Sequence, residues 1–224
     1  MSLQRLFVSA SLLFGLFLNI PLQAADQWYQ IELIIFGQNH SATTVREPIP
    51  ENTFIPDSLT AVKLSPEGVQ HLRRGGSVAF KMLGDGQFIL KSHYNKLSAN
   101  PAYTPIMHVA WRQPVGYRKK GFKVKIEGGK VFVMQASSAN EDDESGSPSN
   151  PQAGKQLREI SGIVIVKRTR YFHIKTDLLY RHKESAGDTG FKVYRMKGSR
   201  RMKSSELHYI DHPMFGLLVY IRKI

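Results

Sequence analysis

The sequence predicts a single-domain α+β protein, built mainly on an antiparallel or mixed β-sheet with about two helices. Most apolar segments are short and rich in β-branched and aromatic residues, which is typical of strands. They follow one another along the chain with few helical patterns between them, an order that favours α+β architecture. With 42% apolar residues in 224, the chain is long enough to bury one large core.

The N-terminal segment, residues 1–24, has the layout of a secretory signal peptide. A single basic residue, Arg5, precedes an apolar stretch from Leu6 to Leu18, and small residues follow near Ala24. The apolar stretch is shorter than the ~20 residues of a spanning helix. We therefore expect cleavage near Ala24, a periplasmic mature domain of residues 25–224, and no transmembrane segment after cleavage.

Charge and cysteine content narrow the function classes. Only Arg5 lies in the leader, so the mature chain carries 30 basic and 18 acidic residues, a net charge of +12. The absence of cysteine excludes disulfides, thiolate metal sites and a cysteine nucleophile. An exported basic protein favours anionic partners. In a periplasm these are peptidoglycan stem-peptide carboxylates and lipid phosphates, and no nucleic acid is expected.

The first half of the mature chain predicts one buried strand and two helices. Residues 28–37, WYQIELIIFG, are nearly all apolar, which indicates a central strand covered on both faces. Residues 65–76 combine a serine N-cap, a proline at the first helical position and a terminal Gly-Gly pair, predicting a short helix. Residues 87–100 place three apolar side chains at i, i+4 and i+7, predicting a second helix.

Two further β segments are predicted in the middle of the chain. Residues 103–115 alternate in polarity, which places Trp111 in the core and leaves Arg112 exposed. Residues 122–136 form two alternating runs separated by Gly128-Gly129, the composition of a tight β-hairpin.

The segment 137–154 predicts a disordered acidic loop. It contains no large apolar residue and four consecutive acids, so it cannot bury enough surface to offset its ordering entropy. Its net charge of −4 leaves +16 on the rest of the mature chain.

The C-terminal third is rich in strand-forming residues. Residues 157–182 exceed the ~3–10 residues of an ordinary strand, so we expect a bend or bulge near 167–170. Residues 191–196, 206–210 and 214–221 predict three more strands in the manner of an antiparallel meander.

The stretch GSRRMKSSELHYIDHP, residues 198–213, contains four possible zinc ligands: Glu206, His208, Asp211 and His212. On a strand the two histidines are four residues apart at ~3.3 Å each, too far for one ion with ~2.0–2.1 Å bonds unless the turn brings them together. Asp-His-Pro is equally typical of a turn. Without a G-x-S-x-G motif, a serine hydrolase is also disfavoured. We therefore predict no catalytic residue, no metal and no cofactor.

Four sequence blocks resemble one known family. RYFHIKTDLLY (170–180) and SRRMKSSELHYIDHPMFGLLVYI (199–221) resemble the C-terminal signature of the CsiV family of periplasmic peptidoglycan-binding proteins. WYQIELIIFG and YTPIMHVAWRQP (103–114) resemble its other two landmarks. The resemblance implies a non-enzymatic factor that binds peptidoglycan and acts with an outer-membrane lipoprotein activator of a class A penicillin-binding protein, a bifunctional peptidoglycan synthase. It supplies no binding residues and no role for the acidic loop.

Candidate binding residues are therefore chosen by chemistry. Guanidinium groups bind stem-peptide carboxylates through paired hydrogen bonds, and aromatic rings stack on the apolar faces of sugars. The candidates for peptidoglycan or partner binding are Arg112, Arg170, Tyr171, His173, Arg200, Arg201, Lys203, Glu206, His208 and Tyr209.

Each candidate also has a structural interpretation. Arg200 and Arg201 could decorate a solvated hairpin, one of them pairing with Glu206, an exposed ion pair that stabilises by only ~0–1 kcal/mol. The histidines and tyrosines of the set could instead form a buried hydrogen-bonded cluster that fixes the sheet.

Two other functions remain open beside the wall-binding one. A metal-dependent cell-wall hydrolase would use His208, Asp211 and His212. A basic periplasmic adaptor would dock on an acidic protein or on lipid phosphates without affinity for the wall. Wall binding requires a continuous positive area, whereas cations scattered evenly or paired internally would contradict it.

Overall fold

The computed structural model describes residues 27–39, 60–70, 78–116, 121–133, 156–183 and 191–224. The predicted signal peptide and the predicted acidic loop 137–154 lie outside these residues. Within them, no helix is long and apolar enough to cross a membrane.

The described chain is mainly β. Its strands are β1 (Gln27–Gln38), β2 (Val62–Lys63), β3 (Val69–Gln70), β4 (Val78–Ala79), β5 (Lys81–Met82), β6 (Tyr103–Val115), β7 (Phe122–Val133), β8 (Gln156–Arg168), β9 (Phe172–His182), β10 (Lys192–Met202), β11 (Leu207–His212) and β12 (Phe215–Lys223). A 3₁₀ turn (Asp85–Gln87) leads to the helix α1 (Lys91–Ala99).

Two five-stranded sheets organise the molecule. The first has the order β11-β12-β1-β6-β5 and is antiparallel throughout. The second has the order β10-β9-β8-β7-β2, with only β2 parallel to its neighbour. Strand β1 lies in the centre of the first sheet and is buried along nearly its whole length, which confirms the prediction for residues 28–37.

The main core lies between the two sheets. Alternate residues of β1, including Ile31 and Leu33, meet Val164 of β8 and Leu178 of β9, and all four are fully buried. Trp111 of β6 belongs to the same core, as its alternation predicted. The arrangement is a β-sandwich in which each sheet gives one face to the interior.

Helix α1 covers the outer face of the first sheet. Leu90 packs with Ile34 and Phe36 of β1, and Tyr94 and Leu97 lie against this second cluster. The predicted helix within residues 87–100 is confirmed.

A buried carboxylate anchors the start of this helix. Glu32 of β1 is fully buried, and its oxygens accept hydrogen bonds from the amides of Ile89 and Leu90 at 2.8 to 3.1 Å. His108 of β6 approaches the same carboxylate at 2.8 Å. Burial alone would raise the pKa of Glu32, but these hydrogen bonds outweigh it and lower the pKa. Glu32 thus supplies the cap that α1 lacks in its own sequence.

The helix predicted over residues 65–76 is wrong at its start. Ser65 instead forms a bridge to Lys81, and the amide of Gly68 donates to the Ser65 hydroxyl and carbonyl. Gly68 has φ +74°, and strand β3 follows immediately. Because a serine oxygen caps a turn as readily as a helix, the N-terminal signal was ambiguous. The described residues contain one α-helix, so the fold is more strongly β than the predicted α+β with two helices.

The tight hairpin predicted at Gly128-Gly129 is also wrong. Strand β7 continues through both glycines and pairs with β8 along its length, with a register shift between Gly128 and Val131. Gly129 has φ +74°, and the next amide, Lys130, donates to the Glu159 carboxylate. The glycines form a β-bulge, which shares with a turn the need for positive φ.

The predicted bend within residues 157–182 is a full reversal. Strands β8 and β9 pair antiparallel, and residues 169–171 connect them. The last three predicted strands are confirmed as β10, β11 and β12, but β10 joins the second sheet while β11 and β12 join the first. The chain therefore crosses between sheets after Met202.

Candidate binding surface

A group of cations shares the outer face of the second sheet. Strand register places Lys167, His173 and Arg201 directly opposite one another on β8, β9 and β10. Lys175 lies on the same face of β9, two residues after His173. Lys197 lies on the same face of β10, four residues before Arg201. Together with the turn residues Arg170 and Tyr171 we call this group the basic face; its seven members are Lys167, Arg170, Tyr171, His173, Lys175, Lys197 and Arg201.

Two of the guanidinium groups contact the same aromatic ring, that of Tyr171. Arg170 and Arg201 lie over the ring of Tyr171, with 5.7 and 4.9 Å between each guanidinium carbon and the ring centroid. Cation–π contact of this kind stabilises by about 0.5–1 kcal/mol at exposed sites. The hydroxyl of Thr169 lies 3.2 Å from Nε2 of His173 and restrains that ring. Tyr171 therefore contacts two cations that are 31 residues apart in sequence.

The charge of the basic face is not neutralised locally. In the described part of the chain, none of its lysines or arginines has an acidic partner. Asp177, which lies opposite Lys197, is held by Arg195 through two 2.7 Å hydrogen bonds. Those bonds raise the pKa of Arg195. The five cations of the basic face therefore keep their charge on one side of the second sheet.

Arg200 points away from this area. It follows the alternation of β10 onto the opposite face of the sheet from Arg201. Lys203 pairs with Glu206 at 3.4 Å, and His208 lies 3.5 Å from the same carboxylate. The expected partner of Glu206 was an arginine, but the exposed ion pair is made by Lys203. Such a pair stabilises the fold by ~0–1 kcal/mol.

Tyr209 lies on β11 of the first sheet and stabilises the hairpin that β11 forms with β12. Its hydroxyl donates to Asp211, and the side-chain amide of Gln38 donates to Tyr209 at 3.1 Å and to Asp211 at 3.0 Å. Its ring stacks on Phe36 with centroids 6.0 Å apart. Burial and the Asp211 contact raise the pKa of Tyr209, and the hydrogen bond from Tyr209 lowers the pKa of Asp211. The four predicted histidines and tyrosines are therefore divided between two sheets and do not form one cluster.

Arg112 is also remote from the basic face. On β6 it lies between Gln30 of β1 and Lys81 of β5, on the outer face of the first sheet. Its Nε is buried without a hydrogen-bond partner among the described residues. The structure does not bring it together with the other candidates.

The residues of the metal alternative are separated by strand alternation. His208 and His212 face one side of β11, while Asp211 faces the other. Nδ1 of His212 accepts a hydrogen bond from the Met214 amide, and burial lowers the pKa of His212. The described ranges contain no group of three or more metal-ligating side chains.

Sequence reasoning missed three members of the basic face: Lys167, Lys175 and Lys197. Each stands at an outward position of a strand whose alternate residues are apolar. The alternation was visible in the sequence, but the pairing of β8, β9 and β10 that gathers these lysines depends on the strand register.

A comparison with protein families yields a match over nearly the whole chain. The family described as "Peptidoglycan-binding protein, CsiV" matches residues 5–224. No curated protein and no solved structure matches the chain.

Proposed function

The chain belongs to the CsiV family of peptidoglycan-binding proteins, and from that premise we propose that it is a non-enzymatic periplasmic factor that binds the wall through its basic face. The main observation in support of this proposal is the set of five cations that share one face around Tyr171 and have no acidic partner among the described residues. Guanidinium groups bind carboxylates in paired hydrogen bonds, and stem peptides present carboxylates at regular intervals.

The shape of this face supports the same proposal. A sheet face is broad and shallow, so it suits a polymer that lies across it rather than a small molecule that enters a pocket. Lys175, Lys197 and Arg201 of the basic face are exposed. Binding would therefore combine several weak contacts, and its strength would depend on salt.

We further propose that the protein acts with an outer-membrane lipoprotein activator of a class A penicillin-binding protein. The family resemblance supports this partnership. A surface for a protein partner is available on the edge strand β11, where Leu207 and Tyr209 are each 40% exposed. Exposed aromatic and apolar residues are enriched at protein interfaces. This surface belongs to the first sheet, so wall and partner could be bound together.

Co-sedimentation with purified sacculi tests the wall-binding part. We expect the mature protein to pellet with sacculi at low salt and to be released as sodium chloride rises toward 0.5 M, where the Debye length falls below about 5 Å. Failure to pellet at low salt would remove wall binding from the proposal. Capture of the lipoprotein by immobilised mature protein tests the partnership separately.

A basic adaptor without wall affinity is the second candidate, because lipid phosphates also bind clustered cations. Flotation with anionic phospholipid vesicles distinguishes the two. An adaptor would float with vesicles and fail to pellet with sacculi.

A further inference from the structure

A cleft opens between the two sheets on the side opposite β10 and β11. Its volume is about 350 Å³. The apolar part of its lining comes from Leu64, Met82, Met107 and Val109. Basic residues also line it, among them Lys63 and Arg158.

The chain path explains why the cleft exists. Lys63 pairs with β7 of the second sheet, and two residues later Ser65 bridges to β5 of the first sheet. Residues 62–65 thus cross from one sheet to the other and leave an opening beside them. Gly128 of β7 lies at this opening, where an added Cβ would be only 2.6 Å from Sδ of Met107. The backbone of β7 therefore lies close to the methionine side chain, which would have to shift if residue 128 carried a Cβ.

The charge of the cleft is positive. Lys125 and Glu127 also line it, but they form a 2.7 Å ion pair and offset each other. Lys63 and Arg158 have no acidic partner in the described ranges. The side chain of Arg158 follows the alternation of β8 onto the same face as Ile160, which is the face that looks toward the first sheet. Two unpaired cations therefore adjoin an apolar floor.

These features select a small amphipathic anion. The apolar floor disfavours sugar rings, because their hydroxyls would lose water without gaining hydrogen-bond partners. Alkyl side chains match the methionine, valine and leucine surface, and a carboxylate matches Lys63 and Arg158. In peptidoglycan both features occur together on the stem peptide, whose free end can enter a cleft that the continuous glycan strand cannot.

We propose that this cleft binds the free end of a peptidoglycan stem peptide, with its alkyl side chains on Met82, Met107 and Val109 and its carboxylate beside Lys63 and Arg158. This inference rests on the proposed function, and it adds a site for one defined part of the polymer. The basic face would bind the wall by distributed charge, while the cleft would recognise the peptide.

Methyl resonances of methionine test the site directly. In the mature chain labelled at the methionine methyls, we expect Met82 and Met107 to shift saturably when a soluble disaccharide–tetrapeptide is added at 0.15 M salt. Met196 and Met202, buried on β10, serve as internal controls and should not move. The same disaccharide without peptide should leave all four resonances in place.

Charge reversal supplies the second readout. The double variant Lys63→Glu, Arg158→Glu should weaken disaccharide–tetrapeptide binding at least tenfold. The matched control Lys91→Glu, Lys96→Glu makes the same charge change on α1, remote from the cleft and from the basic face, and should stay within twofold. Glycerol phosphate serves as the probe for a phosphate anion and should not shift the two cleft methionines.

The inference is overturned if Met82 and Met107 do not respond to the disaccharide–tetrapeptide. A shift of equal size with the peptide-free disaccharide or with glycerol phosphate would overturn it as well. If sacculi still pellet with the wild-type protein in any of these cases, wall binding stands and only the cleft assignment fails. Loss of pelleting would remove the proposed function, and the titration would report on the cleft independently.

Discussion

Glu32 illustrates how one buried residue connects the sheet to the helix that covers it. Three of its polar neighbours, the amides of Ile89 and Leu90 and the ring of His108, point at one carboxylate that has no access to solvent. An ionised group at 0% exposure is tolerated only when its lone pairs are occupied in this way. The helix start is therefore specified from another element of the fold.

Glu32→Gln should destabilise the protein at pH 7 by about 2–4 kcal/mol, because a charged acceptor of several hydrogen bonds becomes neutral while the donors stay buried. Urea unfolding followed by circular dichroism measures the change. Glu206→Gln, at a half-exposed pair, is the control and should change the free energy of unfolding by less than about 1 kcal/mol.

The same residue predicts an acid-dependent loss of stability. The pKa of Glu32 is lowered in the folded state from its ordinary value of 4.5. Its contribution is therefore complete above pH 4.5 and is lost as pH falls through the lower folded value. The wild-type free energy of unfolding should fall more steeply below pH 4.5 than that of Glu32→Gln. Parallel curves for the two proteins would contradict this role.

Among the elements, β7 shows how a local pattern can be satisfied by two structures. Gly128 and Gly129 separate two alternating runs, which is what a hairpin needs, and yet both runs pair with β8. A bulge and a turn use the same residue chemistry, so only the partner strand distinguishes them.

Gly129→Ala should lower the free energy of unfolding by about 1–3 kcal/mol. The residue has φ +74°, and the added Cβ would lie 2.6 Å from the Glu159 carboxylate. Gly86→Ala is the matched control, since a Cβ there meets nothing within 4 Å. If the two variants had equal thermal unfolding midpoints, the β-bulge would tolerate a side chain at residue 129 and this prediction would be wrong.

At the scale of the whole molecule, the two sheets have different outer faces. The first is covered by α1 over Ile34 and Phe36, while the second presents the basic face. The outer faces of the two sheets therefore present different chemistry.

Lys175→Glu, Arg201→Glu should weaken sacculus binding about tenfold, which corresponds to about 1.4 kcal/mol, and should reduce its salt dependence. The control Lys91→Glu, Lys96→Glu makes the same charge change on α1, outside the second sheet. It should bind sacculi nearly as the wild type does. Equal losses in both variants would mean that net charge, and not the basic face, governs binding, and would refute the assignment.

Several features followed from residue order alone. Continuous burial of β1, the alternation that places Trp111 in the core, and the apolar face of α1 all depend on neighbours within one segment. Local periodicity reports such features because it records which side of an element is apolar.

The site, in contrast, depends on which strands are neighbours. Arg201 joins Tyr171 and His173 because β10 pairs with β9 in one particular register, whereas the adjacent Arg200 faces the other side. Tyr209 lies 38 residues after Tyr171 in the sequence and belongs to the other sheet, although both residues were candidates for binding. The sequence by itself determined the basic, cysteine-free and strand-rich character of the chain. Only the tertiary structure decided which cations share a surface, because strand register and sheet assignment arise from contacts between distant segments.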